Sequence, residues 1–200
     1  MSEKLVIRPA VTSEASRLTQ LVIERKFDAD PWDRKSNEAS IEWWNLYGDA
    51  ANLADIERAQ QFPSNYFICV AAIGKTVVGY LKGSSSLKSE YTYEGRMHTD
   101  HRGLMVAKNH ESQGVAQGLE REFCEWAVQR QQPVCVRVAV GNERAHDFFK
   151  QQGYEYRQTL PATPESPSLD VFTLSYDDLY VNTRNQPPRN VSLSLERNTA

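Results

Sequence analysis

Two apolar runs, Tyr66 to Ile73 and Thr76 to Lys82, are separated only by Gly74 and Lys75. So short a connection, opened by glycine, sends the second run straight back along the first as an antiparallel hairpin. At least part of this chain is therefore antiparallel sheet, and the remaining segments must be accommodated around it.

On the N-terminal side of the hairpin the period is helical. Leu5, Val6 and Ile7 form a short strand stopped by Pro9. Thr12 and Ser13 offer caps for a helix with Ala15, Leu18 and Val22 on one face. Ser36 to Tyr47 reads as a second helix aligning Ile41, Trp44 and Tyr47. Gly48-Asp49 then interrupts it, and Asn52 with Asp55 restarts it as a capping pair as far as about Gln60. After the hairpin comes a loop, Gly83 to Ser86, and another strand lies within Tyr91 to Val106. Val115, Leu119, Phe123 and Trp126/Ala127 make a helical stripe. Val134 to Val140 alternates as a strand, Asn142 caps a helix stopped by Gly153, and Leu169 to Leu174 is a last strand. This succession predicts a mixed α/β (α+β) fold with a largely antiparallel sheet. Residues 177–200 read as a polar, Pro-interrupted tail after a single domain of residues 1–176. Within that tail Val191, Leu193 and Leu195 alternate, which suits pairing with a sheet edge or with a partner subunit in a homodimer.

Composition narrows the function classes. The chain has 200 residues and a formal charge of −3, which disfavours a nucleic-acid binder that works by broad phosphate neutralisation. The longest apolar run falls far short of the ~20 residues needed to span a bilayer, so no membrane partner is expected. Met1-Ser2-Glu3-Lys4-Leu5 lacks the apolar core of an export signal, which makes the cytoplasm the default compartment. Cys69, Cys124 and Cys135 are scattered singly through apolar runs and read as buried thiols rather than as a disulfide or zinc framework.

The chemistry concentrates after the strand Leu104-Met105-Val106. That strand runs through Ala107 to Gly114 into the amphipathic helix, and the helix start offers backbone N–H groups and the positive end of a dipole to an anion. Gly114 and Ala116 keep side chains clear of an approaching ligand.

Gln113-Gly114-Val115-Ala116, followed by Asn142, Ala145, Phe148, Gly153 and Tyr154, resembles the motif pair of the GNAT N-acetyltransferase superfamily. That pair is Arg/Gln-x-x-Gly-x-Gly/Ala, then Asn-x-x-Ala-x-x-Phe-Tyr-x-x-x-Gly-Phe. The resemblance covers Leu5 to about Leu174 and implies the GNAT fold, with helices on both faces of the sheet. It implies acetyl-CoA as co-substrate, held at Glu111, Ser112, Gln113, Gly114, Val115 and Ala116, with Asn142 on the pantetheine arm and Phe149 nearby. Main-chain amides near Met105 and Val106 would polarise the thioester carbonyl. Glu111 and Ser112 depart from the family's Arg/Gln and Gly. Phe149 replaces the tyrosine that commonly protonates the departing thiolate, and Arg102 occupies the usual position of the catalytic base.

With Arg102 unable to act as a base, Asp100 and His98 are the candidate catalytic residues, because period 2 sets both on one strand face. His101 falls on the opposite face, so His98 and His101 cannot form a metal pair, and no metal is expected. His146 reads as exposed. Between Asp28 and Glu57 stand eight acids and two bases, a local charge of −6, beside Trp32, Trp43 and Trp44. Trp32 and Glu42 are the candidate residues for binding the acceptor, where a negative field attracts an oligoamine or basic peptide. The helical insert before the hairpin has a layout similar to the spermidine/spermine acetyltransferase-like branch. The expectation is an N-acetyltransferase that moves an acetyl group to a primary amine by direct attack. The alternative is a non-catalytic acyl-CoA-binding or interaction module on the same fold.

Overall fold

The computed structural model describes residues 4–28, 34–86, 97–163 and 167–185. The elements run β1 (Leu5–Pro9), α1 (Ala15–Asp28), α2 (Arg34–Gln61), β2 (Tyr66–Ile73), β3 (Thr76–Ser86) and β4 (His98–Val106). They continue with α3 (Val115–Val128), β5 (Val134–Ala139), α4 (Glu143–Gln151), β6 (Glu155–Leu160), β7 (Leu169–Leu174) and α5 (Tyr176–Asn185). Seven strands form one mixed sheet in the order β1-β2-β3-β4-β5-β7-β6. β1 runs antiparallel to β2, and β7 antiparallel to both β5 and β6. β4 and β5 are the parallel pair, in register from Thr99↔Val134 to His101↔Val136.

Among the described residues the chain divides into two compact units, one holding the residues up to Lys82 with Gly103–Glu122, the other Gly83–Arg102 with Phe123–Asn185. In the first, Leu18, Leu21 and Val22 of α1 pack with Ile56 of α2 and with Ile68, Val70, Val77 and Tyr80 of the hairpin. The apolar face expected for α1 is borne out, with Leu18 and Val22 both buried. Its start differs from expectation. Thr12 and Ser13 lie inside a 3-10 turn, and the Glu14 carboxylate accepts the Val11 amide at 2.9 Å while pairing with Arg8 at 2.6 Å.

α2 corrects the sequence reading most. It runs unbroken for 28 residues, so Gly48-Asp49 is no interruption and Asn52 no cap. A Cβ at Gly48 would stand 2.6 Å from Thr19 Cγ2 and 2.7 Å from Trp44 Cε3, so glycine is there for close approach to α1. Asn52, 0% exposed, donates through Nδ2 to Thr19 Oγ1 at 2.9 Å and accepts from Lys82 Nζ at 2.6 Å. Lys82 also reaches Asp55 at 2.6 Å. Ile41, Trp44 and Tyr47 do not share a face, because i, i+3 steps drift by about 60° each. Trp44 packs on the core, whereas Tyr47 is exposed.

In the second unit, Gly83 to Ser86 continue β3 rather than looping, and a Cβ at Gly83 would collide with the Phe123 ring. Two elements were not foreseen. β6 is exposed along almost its whole length, which hides its period, and α5 buries Leu179 within a polar stretch. Val191, Leu193 and Leu195 lie outside the described residues.

Gly48→Val should cost about 1–3 kcal/mol by overpacking the contact between α1 and α2. A lower urea midpoint at unchanged slope would register it; an unchanged midpoint would show that the contact yields freely.

Candidate active site

After Val106 the Ala107 amide donates to the Val78 carbonyl at 2.8 Å, and a single 3-10 turn spans Lys108–His110. The backbone then turns left-handed twice, at Ser112 (φ 58°) and Gly114 (φ 77°). Glycine adopts this conformation freely, whereas serine pays roughly 1–2 kcal/mol for it. Gly118 N donates to Gly114 O at 2.9 Å as the first rung of α3, so the amides of Val115, Ala116 and Gln117 precede the intrahelical ladder. Those amides and the dipole make the start of α3 an anion-favouring end.

The side chains around the turn brace it. Gln113 Nε2 donates to the Asn109 carbonyl at 3.0 Å, and its Oε1 lies 3.3 Å from His110 Nδ1. Gln113 is thus engaged locally, and main-chain groups are what the turn offers a ligand. The Glu111 carboxylate is ion-paired with Arg25 of α1. The sequence departure that set a negative charge beside an anion site is thereby compensated. Nothing in the sequence signals this pair, because its members are 86 residues apart. Gly79 lets the end of β4 and the start of α3 come close to β3. A Cβ there would stand 2.9 Å from the Met105 carbonyl oxygen and 3.2 Å from Val115 Cγ1 and Leu119 Cδ1.

In the second unit, His98 and Asp100 share a strand face as expected, with His98 Nε2 3.1 Å from Asp100 Oδ1. His98 is 1% exposed, while the Asp100 side chain retains 15%. His101 points to the other face, where its ring stands edge-on to Phe123 and Phe149. Phe149, also buried, contacts Tyr154 in the same aromatic cluster. Asn142 caps α4, its Oδ1 accepting from the Ala145 amide at 3.1 Å. His146 is buried, not exposed. It lies on α4 over Phe172, with Nε2 3.4 Å from Asp170 Oδ2, because the inner face of this short helix takes in His146 as well as Phe149.

Glu42 is exposed on α2, and Trp32 lies outside the described residues. The acidic field expected around them is partly cancelled among the described residues. Asp55 pairs with Lys82 and Arg58, whereas the hydrogen bond that Asp49 accepts from the neutral Ser16 hydroxyl leaves its charge in place. Hydrogen bonds from Ser16 and Thr19 hold the Asp49 carboxyl below its usual range. All three cysteines are free and buried.

Solved structures of acetyltransferases share this fold. N-acetyltransferase PaiA from Thermoplasma acidophilum, solved with coenzyme A, is similar at a TM-score of 0.65 and 14% identity, covering 84% of this chain and 97% of its own. An N-acetyltransferase from Staphylococcus aureus Mu50 gives 0.63 and 13%, covering 86% and 98%. YncA from Salmonella typhimurium, solved with its cofactor acetyl-CoA, gives 0.59 and 16%, covering 88% and 95%. No curated protein matches significantly. The model of the Acetyltransferase (GNAT) family matches residues 20–154, and the chain belongs to this family.

Burial pushes the Cys135 thiol up to about 11 from 9.0, with Asp100 adding to the rise and Arg137 opposing it. A raised folded-state pKa stabilises below the unfolded value and loses that contribution as pH rises through the folded one. Cys135 should therefore remove up to about 3 kcal/mol of stability between pH 9 and 11. Urea titrations of wild type and Cys135→Ala at about pH 8 and pH 10.5 check this, since the variant should lose less stability over that interval.

Proposed function

We propose that this chain transfers the acetyl group of acetyl-CoA to a primary amine by direct attack. The observation that carries the reading is the turn at Ser112 and Gly114, which presents the start of α3 while Arg25 neutralises Glu111. The amides of Val115, Ala116 and Gln117 suit a pyrophosphate. Coenzyme A and acetyl-CoA in two of the similar structures support the choice of ligand. Asn142, whose Oδ1 is used as a cap, would meet the pantetheine arm through its remaining amide group.

The chemical step needs a neutral amine, and near pH 7 only about one in 10³ alkylamines is neutral. The amine nitrogen attacks the thioester carbonyl, whose oxygen draws on amides near Met105 and Val106. The C–S bond then breaks, the thiolate takes a proton from solvent, and the amide product leaves. Asp100 is the proton acceptor in this reading, working through water. His98, too buried to meet substrate, holds the Asp100 carboxylate by its hydrogen bond. With Phe149 in place of an acid, thiolate departure goes unaided, at a cost of roughly 2 kcal/mol for a group of pKa about 8.5. Glu42 and Trp32 would guide a cationic acceptor, such as a small amine, a polyamine or a basic peptide.

Arg25→Gln removes the Arg25 cation from the Glu111 carboxylate and should weaken acetyl-CoA binding on the order of tenfold. Arg25→Gln combined with Glu111→Gln should recover it. Calorimetry on both, beside Gly114→Val, tests the site; a folded Gly114→Val chain that binds normally would falsify it. Asp100→Asn should lower turnover at least tenfold near pH 7 and less near pH 9, where more amine is already neutral. Full activity of that variant at both pH values would send the proton to bulk water instead.

A further inference from the structure

α2 is apolar on the face turned away from the core as well as on the face turned toward it. Trp43 is 46% exposed, Leu46 66%, Tyr47 56% and Leu53 37%. Ala50 is exposed between them and Ala54 is half-buried. At 3.6 residues per turn these six side chains form one stripe, with Glu57 a turn beyond its end. No charge interrupts the stripe, while the exposed acids Glu42 and Asp49 stand beside it. Together they expose roughly 400 Å² of apolar side chain, about as large a patch as monomers ordinarily carry. Trp43 is held in place, its ring 5.2 Å from Trp44 and 5.8 Å from Tyr47.

We propose that a second copy of this chain covers the stripe, the two α2 helices packing antiparallel about a two-fold axis at Ala50. The surface is distinct from the anion-binding turn, although Glu42, assigned above to guiding the acceptor, borders it. The stripe is symmetric about its own centre. Three residues either side of Ala50 are Tyr47 and Leu53, four either side Leu46 and Ala54, and seven either side Trp43 and Glu57. An antiparallel pair brings the members of each couple into one layer across the interface. Leu46 then lies level with the partner's Ala54, large against small, and Tyr47 level with the partner's Leu53. The Trp43 indole N–H lies level with the partner's Glu57 carboxylate, a donor beside an acceptor. Ala50 meets the partner's Ala50, the small residue that lets two backbones approach. Self-complementarity of this kind is what an isologous interface requires and a foreign partner does not. A charged partner would find nothing on the stripe to pair with.

Two such stripes bury roughly 800 Å² of side chain, and the flanking helix surface brings the total toward the ~1,200 Å² lower bound for a stable interface. Sedimentation velocity of the full chain from about 1 to 200 µM should show monomer passing to dimer. Ala50→Arg, on an exposed helix position that tolerates arginine, should raise the dissociation constant at least tenfold at unchanged circular dichroism. Leu46→Lys should do the same, and Leu46→Lys with Ala54→Glu should recover the dimer, since opposite charges then share a layer. A chain that stays monomeric throughout, or a dimer indifferent to Ala50→Arg, overturns the proposal. So does a monomer that Leu46→Lys destabilises, which would mean that the chain covers the face itself. Failure of the double variant to recover association would overturn the antiparallel register.

Discussion

The orientation of α2 rests on a buried amide. Asn52 is enclosed between Thr19 of α1 and Lys82 of β3, giving a hydrogen bond to one and taking one from the other. An unsatisfied buried polar group costs about 1–3 kcal/mol, so any rotation of the helix that broke either bond would be resisted. Asp55, one turn further on, meets the same ammonium group. Those contacts set which side of a long helix looks inward. Gly48, Ile56 and Trp44 reach α1 and the hairpin as a result, and Trp43, Leu46 and Tyr47 are left looking out.

The turn before α3 depends on a different constraint. Two left-handed residues within three positions, Ser112 and Gly114, turn the chain between the strand and the helix start. Gly114 takes the conformation without strain, whereas Ser112 holds it at a cost that the surrounding contacts must offset. Gln113 bonded back to Asn109 and Glu111 paired with Arg25 supply such contacts. The same ion pair answers the electrostatic problem raised by an acid in an anion-binding turn. One side chain from α1 thus shapes the loop and corrects its charge.

Much of this was legible in the residues. The hairpin, the α3 stripe, the β5 strand and the Asn142 cap all follow from local period and local chemistry, and each stands where expected, except that β5 stops at Ala139, leaves Val140 exposed and buries Cys135 beside the valines. What sequence misread were contacts between distant segments. Gly48 looks like a helix breaker until Thr19 and Trp44 are seen to occupy the space of its missing side chain. Asn52 looks like a cap until its two partners, 33 and 30 residues away, come into view. Arg25 carries no local sign of its pairing with Glu111. β6 was missed because an exposed strand has no inner face to print an alternation, and α5 because a single buried leucine sets its contact. His98 and Asp100 were expected on one strand face and lie there, hydrogen-bonded. How deeply His98 is enclosed was not readable from period alone.

β6 also has a bearing on how the protein behaves at high concentration. It forms one border of the sheet and is open along almost its whole length. Its register slips between Tyr156 and Gln158, and the intervening Arg157 turns to donate to Thr173 Oγ1 at 2.7 Å. An irregular, charged border is a poor template for strand-by-strand growth. At the opposite border, β1 ends in Pro9, which has no N–H to offer an incoming strand. Each margin of the sheet therefore carries a feature that hinders pairing with an incoming strand.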